Sequence, residues 1–226
     1  MIQFDPELVP LDPLFGPTER GSAVLPARLS PAGLRRRFAS PPLWTPELFG
    51  DDRRIDPTRP ERAASVLVPL VERDSGVSVL LTRRAEHLHD HAGQISFPGG
   101  RRDRGDRDAE ATALRETLEE IGLAPEGIEV LGRLPDYLTA SSYRVTPVVA
   151  MLAPPLELTL DDFEVAEAFE VPLAFLMDPA HHERRSFEFA GARRQFYAMP
   201  WQAQQRYFIW GATAAMLRNL YRFLAA

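Results

Sequence analysis

From residue 63 onward the chain alternates between short apolar runs and polar breaks. Residues 65–71, Ser-Val-Leu-Val-Pro-Leu-Val, read as a strand. Pro69 lacks an N–H, which predicts an edge position or a bulge. Turn chemistry at 72–76 leads to a return strand at 77–82, so the pair reads as a hairpin. A short strand follows at 94–97, broken by Pro98-Gly99-Gly100. The pattern then changes period. Ala111, Leu114, Leu118 and Ile121 recur at helical spacing and predict a buried stripe, with Asp108 as cap, Glu110 in the first turn and Gly122 just past the end. Strands are expected at 128–134 and 145–152, and short helix or mixed structure at 164–170 and 173–176. A hairpin is expected at 185–189 and 195–199 around Ala190-Gly191-Ala192. Residues 206–224 read as one amphipathic helix with Ala212, Met216, Leu220 and Phe223 on one side.

Residues 1–62 are rich in proline and poor in apolar period. They predict a loop-like extension with one short helix, capped by Ser30, begun by Pro31 and continued through residues 34–38. The expected organisation is therefore an extension, 1–62, and a folded domain, 63–226. Strands, a central helix, more strands and a terminal helix make the class mixed α/β or α+β with a sandwich.

Composition narrows the function. The chain has 226 residues, and 45% of them are hydrophobic, enough for a sizeable core. A net charge of −6 argues against binding to a nucleic-acid backbone. No apolar run approaches a membrane span, and the acidic, proline-bearing start does not resemble a secretory signal, so no membrane association and a cytoplasmic location are expected. Cysteine is absent, which excludes disulfides and thiolate metal sites. Every basic residue is arginine, so any cation that grips a phosphate must be a guanidinium.

The candidate chemistry lies on the central helix. Glu116, Glu119 and Glu120 stand at i, i+3 and i+4, which puts three carboxylates on one face. Such a face is ordinarily just solvated. Here no basic residue lies one turn further on, and Gly99-Gly100 precede the helix by a short loop whose bare backbone can approach a metal or a phosphate. Arg115 adjoins the cluster and can orient a carboxylate. A hard divalent cation such as Mg²⁺ would relieve the repulsion among the glutamates.

Gly100, with Arg115-Glu116-Thr117-Leu118-Glu119-Glu120-Ile121-Gly122-Leu123, resembles the motif of the Nudix family. Asp106 stands at its first acidic position, and the Gly100-to-Arg115 spacing is one residue longer than the general pattern. Leu80-Leu81-Thr82-Arg83-Arg84-Ala85 and His91-Ala92-Gly93-Gln94-Ile95-Ser96-Phe97-Pro98-Gly99-Gly100 resemble the segment preceding that motif in the coenzyme A diphosphatase branch, where the longer spacing also occurs. Residues 139–149, 164–173 and 209–213 extend the likeness, while His89 stands where that branch often has arginine.

The resemblance implies an α/β/α sandwich with a mixed sheet and hydrolysis of a nucleoside diphosphate linked to another moiety. It implies Mg²⁺ or Mn²⁺ held by Glu116, Glu119, Glu120 and the Gly100 carbonyl, with Arg115 positioning a glutamate. Asp106 braces the loop or is simply a turn acid. The general base is one of the motif glutamates or a later one, for which Glu164 is the candidate. Arg83, Arg84, Arg101 and Arg102 flank the loop and are candidates for gripping phosphates. The expected substrate is coenzyme A or a thioester of it. The alternatives are another conjugate such as ADP-ribose, NADH or a dinucleoside polyphosphate, or a Nudix-like domain that binds without catalysis. His87, His89 and His91 alternate but lie among arginines, which disfavours a transition-metal site. Tyr143, Trp201, Tyr207 and Trp210 either stack on an adenine or pack in the core or across a homodimer interface.

Overall fold

The computed structural model describes residues 4–51, 60–88, 92–189 and 191–226. Its N-terminal segment carries a single 3-10 turn at Pro6–Leu8 and three helices, α1 (Pro17–Arg20), α2 (Pro26–Leu29) and α3 (Pro31–Ala39). Ser30 caps α3 as expected, its hydroxyl accepting from the Gly33 N–H at 3.1 Å. The central region runs β1 (Arg62–Val71), β2 (Ser78–Arg84), β3 (Ile95–Ser96), β4 (Gly99–Arg101), α4 (Ala109–Ile121), β5 (Ile128–Arg133), β6 (Tyr137–Leu138), β7 (Tyr143–Leu152) and β8 (Val165–Pro172). The chain ends with α5 (Leu173–Leu176), β9 (Glu183–Phe189), β10 (Ala192–Gln202), β11 (Arg206–Trp210) and α6 (Gly211–Ala225).

Strands β1 to β8 form one mixed sheet in which β1 and β7 run parallel over ten residue pairs and the other pairings are antiparallel. Helix α4 lies on one face, where Ala113 packs on Leu67 and Val148. On the other face, α6 buries Ala214, Leu217, Leu220 and Leu224 with Val68, Leu70, Val79 and Leu81. The result is the expected α/β/α sandwich with a mixed sheet. A second, antiparallel sheet of β9, β10 and β11 extends it on the α6 side. No helix among the described residues is long and apolar enough to cross a membrane.

Several elements differ from expectation for identifiable reasons. Pro69 sits in an interior strand: β7 pairs along one side of β1, while β4 pairs residues 64–66 and β2 pairs residues 70–71 on the other. The Leu67 N–H points to that second side, bonding the Pro98 carbonyl at 2.9 Å. Residue 69 faces the same way by alternation, so its missing N–H falls in the gap between β4 and β2. Gly99-Gly100 does not end structure after Pro98 but opens β4 against β1. Residues 165–170 are strand, not helix, because they complete the open edge of β2. Residues 206–210 are strand as well, pairing with β10, and the terminal helix begins only at Gly211. That helix is buried nearly all round, including Arg218 and Asn219, and so has no solvent face of the expected kind.

The N-terminal segment lies against this frame through polar anchors. Asp12, buried, meets Arg184, Arg193 and Gln195 of the second sheet. Glu47 pairs with the fully buried Arg218 at 2.8 Å. Asp51 accepts from the Tyr137 hydroxyl and the Ala140 N–H, both at 2.7 Å.

Candidate active site

Helix α4 is held at both ends by the devices its sequence suggested. The Asp108 carboxylate accepts from the Ala111 N–H at 2.9 Å. Gly122 takes a left-handed conformation, φ 73°, and its N–H closes on the Leu118 carbonyl. The buried face is rotated from the expected stripe. Ala113, Thr117, Glu120 and Ile121 face the sheet, whereas Leu118 is 45% exposed. A carboxylate, Glu120, therefore occupies what would be a core position.

This rotation sets the environment of each glutamate. Glu119 is exposed, Glu116 is half-buried and Glu120 is only 5% exposed. Burial pushes the Glu120 carboxyl up to about 8. Its hydrogen bond from the Gly99 N–H (3.2 Å) and the charge of Arg84 oppose that shift, while Glu164 and Glu116 reinforce it. Glu116 is also raised, first by burial, with Arg115 opposing and Glu119 and Glu164 adding repulsion. The turn carrying Glu164 hangs from the end of α4, since the Thr159 and Asp161 N–H groups bond the Ile121 and Glu120 carbonyls. The Ala85 N–H in turn bonds the Glu164 carbonyl, tying this turn to the end of β2. Glu164 thus joins the α4 glutamates from 44 residues beyond Glu120 in sequence, within electrostatic reach of both Glu116 and Glu120.

Arg115 organises the entrance. Its guanidinium forks onto Asp106 (3.1 and 3.0 Å) and also donates to Glu116 (2.9 Å), Glu119 (2.7 Å) and the Arg101 carbonyl (3.1 Å). Asp106 is held at about 2, first by that contact with Arg115, and it also accepts from the Asp103 N–H. It braces the loop into which the spacer folds.

The four candidate phosphate arginines are not brought to one place. Arg84 lies within electrostatic reach of Glu120. Arg83, its neighbour in the strand, lies on the opposite face and pairs with Glu167 at 3.0 Å. The Arg102 guanidinium donates to the Asp106 and Arg107 carbonyls and so closes the loop rather than reaching outward. Arg101 pairs with Ala64, whose side chain belongs to the core on the α6 side, so alternation turns Arg101 away from the glutamates. Among the aromatics, Tyr207 stacks on Phe169, Trp201 packs edge-on to Phe175, Trp210 packs edge-on to Phe196, and Tyr143 lies under the Arg62 guanidinium. His87 rests against Phe163, and His89 and His91 lie outside the described residues.

No three Asp, Glu or His side chains among the described residues are gathered tightly enough to hold a metal ion as they stand. The surroundings nonetheless suit one. A Cβ added at Gly100 would fall 2.5 Å from the Glu116 carboxylate, so only glycine leaves that space beside the strand. The donors are all oxygen, as hard divalent ions prefer. Sequence reasoning missed the Gly99 N–H as a partner of Glu120. Its signal was the first glycine of the Gly-Gly pair, which opens a strand.

A profile of the NUDIX domain matches residues 61–190. The Nudix hydrolase NudL of Pectobacterium atrosepticum is 40% identical over 166 residues, which cover 74% of this chain and 84% of that protein. The chain belongs to the Nudix hydrolase family. NudL of Escherichia coli strain K12 is 40% identical over 159 residues, covering 70% of this chain and 81% of that one. A solved Nudix hydrolase from M. smegmatis, RenU, is 27% identical, with a TM-score of 0.44, and covers 51% of this chain and 73% of that one. As a Nudix hydrolase, the protein is a pyrophosphohydrolase of nucleotide-derived substrates. The profile begins one residue before β1 and ends before β10, so β10, β11, α6 and the N-terminal segment all lie outside it.

Proposed function

We propose that this Nudix hydrolase cleaves the diphosphate of coenzyme A or its thioesters, releasing 3′,5′-ADP and 4′-phosphopantetheine or its acyl form. The observation that carries this reading is the segment 80–100. Its sequence resembles the coenzyme A diphosphatase branch, and it supplies β2, Arg84 beside Glu120, and the glycine strand that faces Glu116.

In this reading Glu116, Glu119, Glu120 and the Gly100 carbonyl would hold Mg²⁺ or Mn²⁺. When bound, the ion supplies positive charge against the phosphate oxygens. Arg115 acts through the glutamates, since its donors already face Asp106, Glu116, Glu119 and a carbonyl. Arg84 is the guanidinium placed to face a diphosphate on the α4 side. Glu164 takes the proton of the attacking water as the water oxygen bonds to phosphorus and the bridging P–O bond breaks. Its part-exposed position within electrostatic reach of Glu116 and Glu120, outside the set that would hold the ion, supports that role over the glutamates of α4.

The test is a panel of nucleotide conjugates with products identified by mass spectrometry. Coenzyme A is expected to give 3′,5′-ADP and to turn over faster than its form without the 3′-phosphate. Preferential hydrolysis of ADP-ribose, NADH or a dinucleoside polyphosphate would replace this reading with the second one.

A further inference from the structure

A groove of about 890 Å³ lies on the face of β2 opposite the glutamates. One wall is residues 4–8 of the N-terminal segment, and the other is β11 with Gln205 just before it. Arg83 lines it, one residue along the strand from Arg84. The groove therefore begins at the strand position next to the one that faces Glu120.

The charges in this groove exclude a phosphate. Asp5, Glu7 and Glu86 line it. Of its two guanidiniums, Arg206 is held by Glu7 at 2.9 Å and Arg83 by Glu167 at 3.0 Å. A further dianion would meet unbalanced carboxylates. Beside those carboxylates the groove offers apolar and hydrogen-bonding surface, with both of its guanidiniums already paired. The Phe4 ring is about half exposed and lies 6.2 Å from the Trp210 ring. The Arg83 Nε is buried with no partner among the described residues. A buried donor of that kind is unfavourable until an acceptor reaches it.

We propose that this groove is the subsite for the pantetheine arm of the substrate. The arm is neutral and extended. Its amide carbonyls are acceptors for an N–H such as that of Arg83, and its geminal methyl groups suit the Phe4 and Trp210 rings. The inference rests on the coenzyme A reading and sharpens it: the diphosphate lies on the α4 side with Arg84, and the thiol-bearing half runs along the groove. It also gives the N-terminal segment a role, because residues 4–8 form a wall that the Nudix profile does not contain.

Pantetheine itself, free of nucleotide and diphosphate, is the probe. Ligand-observed NMR on the full chain is expected to show it binding, and Phe4→Ala is expected to weaken that binding by about tenfold. Phe4 is a surface ring, and an unchanged melting temperature will show that the variant is folded. The same variant should raise KM for coenzyme A. No detectable binding of pantetheine to the native chain, or equal binding by Phe4→Ala, overturns the groove assignment even if coenzyme A is hydrolysed. Binding of pantetheine without hydrolysis of coenzyme A supports the groove and overturns the proposed reaction instead.

Discussion

Two buried sets of charge in this protein are built in opposite ways. Around Arg218 the guanidinium is fully buried and saturated: it donates to Glu47 (2.8 Å), the Arg20 carbonyl (2.9 Å), the Glu19 carbonyl (3.2 Å) and Nδ1 of His182 (3.0 Å). His182 is driven down to about 4, first by burial, and so remains neutral, its other nitrogen donating to the Leu176 carbonyl at 2.7 Å. The Tyr197 hydroxyl closes on Glu47 from a third side. Around Glu120 the balance is reversed. A carboxylate takes a core position, receives one N–H at 3.2 Å, and is crowded by Glu116 and Glu164. A satisfied buried charge fastens parts of the chain together, here the N-terminal segment to α6. An unsatisfied one is costly to keep, and such cost accompanies chemistry.

The contrast can be broken at either end. Glu120→Gln should lower turnover by about a thousandfold or more while the fold persists. Its effect on stability has a definite sign. Glu120 titrates at about 8 in the folded chain, against an ordinary value of 4.5. The folded state therefore holds a proton that the unfolded state loses. The native carboxyl is least costly below pH 4.5, and its penalty grows as pH rises from there towards 8. In metal-free buffer, the melting temperature of the native chain minus that of Glu120→Gln should fall across that range. A difference that stays flat would show that Glu120 is not the frustrated group.

Arg218→Ala attacks the satisfied set. It leaves Glu47 without its buried partner and should cost about 3–5 kcal/mol in chemical denaturation. A loss below about 1 kcal/mol would mean that the N-terminal segment is held by its other contacts. The smallest expected effect is at Arg115, which holds two of the α4 glutamates and the loop before them. Arg115→Ala frees Asp106, Glu116 and Glu119 together and should reduce kcat by about 10–100-fold. If Arg115 acts only by positioning, KM should change little, and a large rise in KM would assign it to the substrate instead.

The elements that sequence revealed most clearly were those fixed by local physics. The cap at Asp108, the left-handed Gly122, the capped helix after Ser30 and the hairpin turns all depend on residues a few positions apart. The spacing of the glutamates alone described a solvated face; the order Arg-Glu-x-x-Glu-Glu, read with the glycines before it, made them candidates for a metal-assisted site. The errors arose where partners are remote. Residues 165–170 carry no strong local preference, whereas 206–210, Arg-Tyr-Phe-Ile-Trp, hold β-forming side chains that read on into the helix that follows; both became strands against the edges of β2 and β10. The α4 stripe was displaced because the sheet below accepts Glu120 next to the Gly99 N–H, which no hydrophobic period reports.

By itself, then, the sequence determined the mixed α/β class and, through its likeness to the Nudix motif, the family and the candidate carboxylates, because that likeness rests on residue order along one helix and one loop. Tertiary structure alone decided which glutamate is buried, that Glu164 comes back to the cluster, and that Arg83 and Arg84 part to opposite faces of the sheet. Pairing and burial are set by chain segments tens of residues apart, and the charge of a side chain depends on what those segments bring beside it.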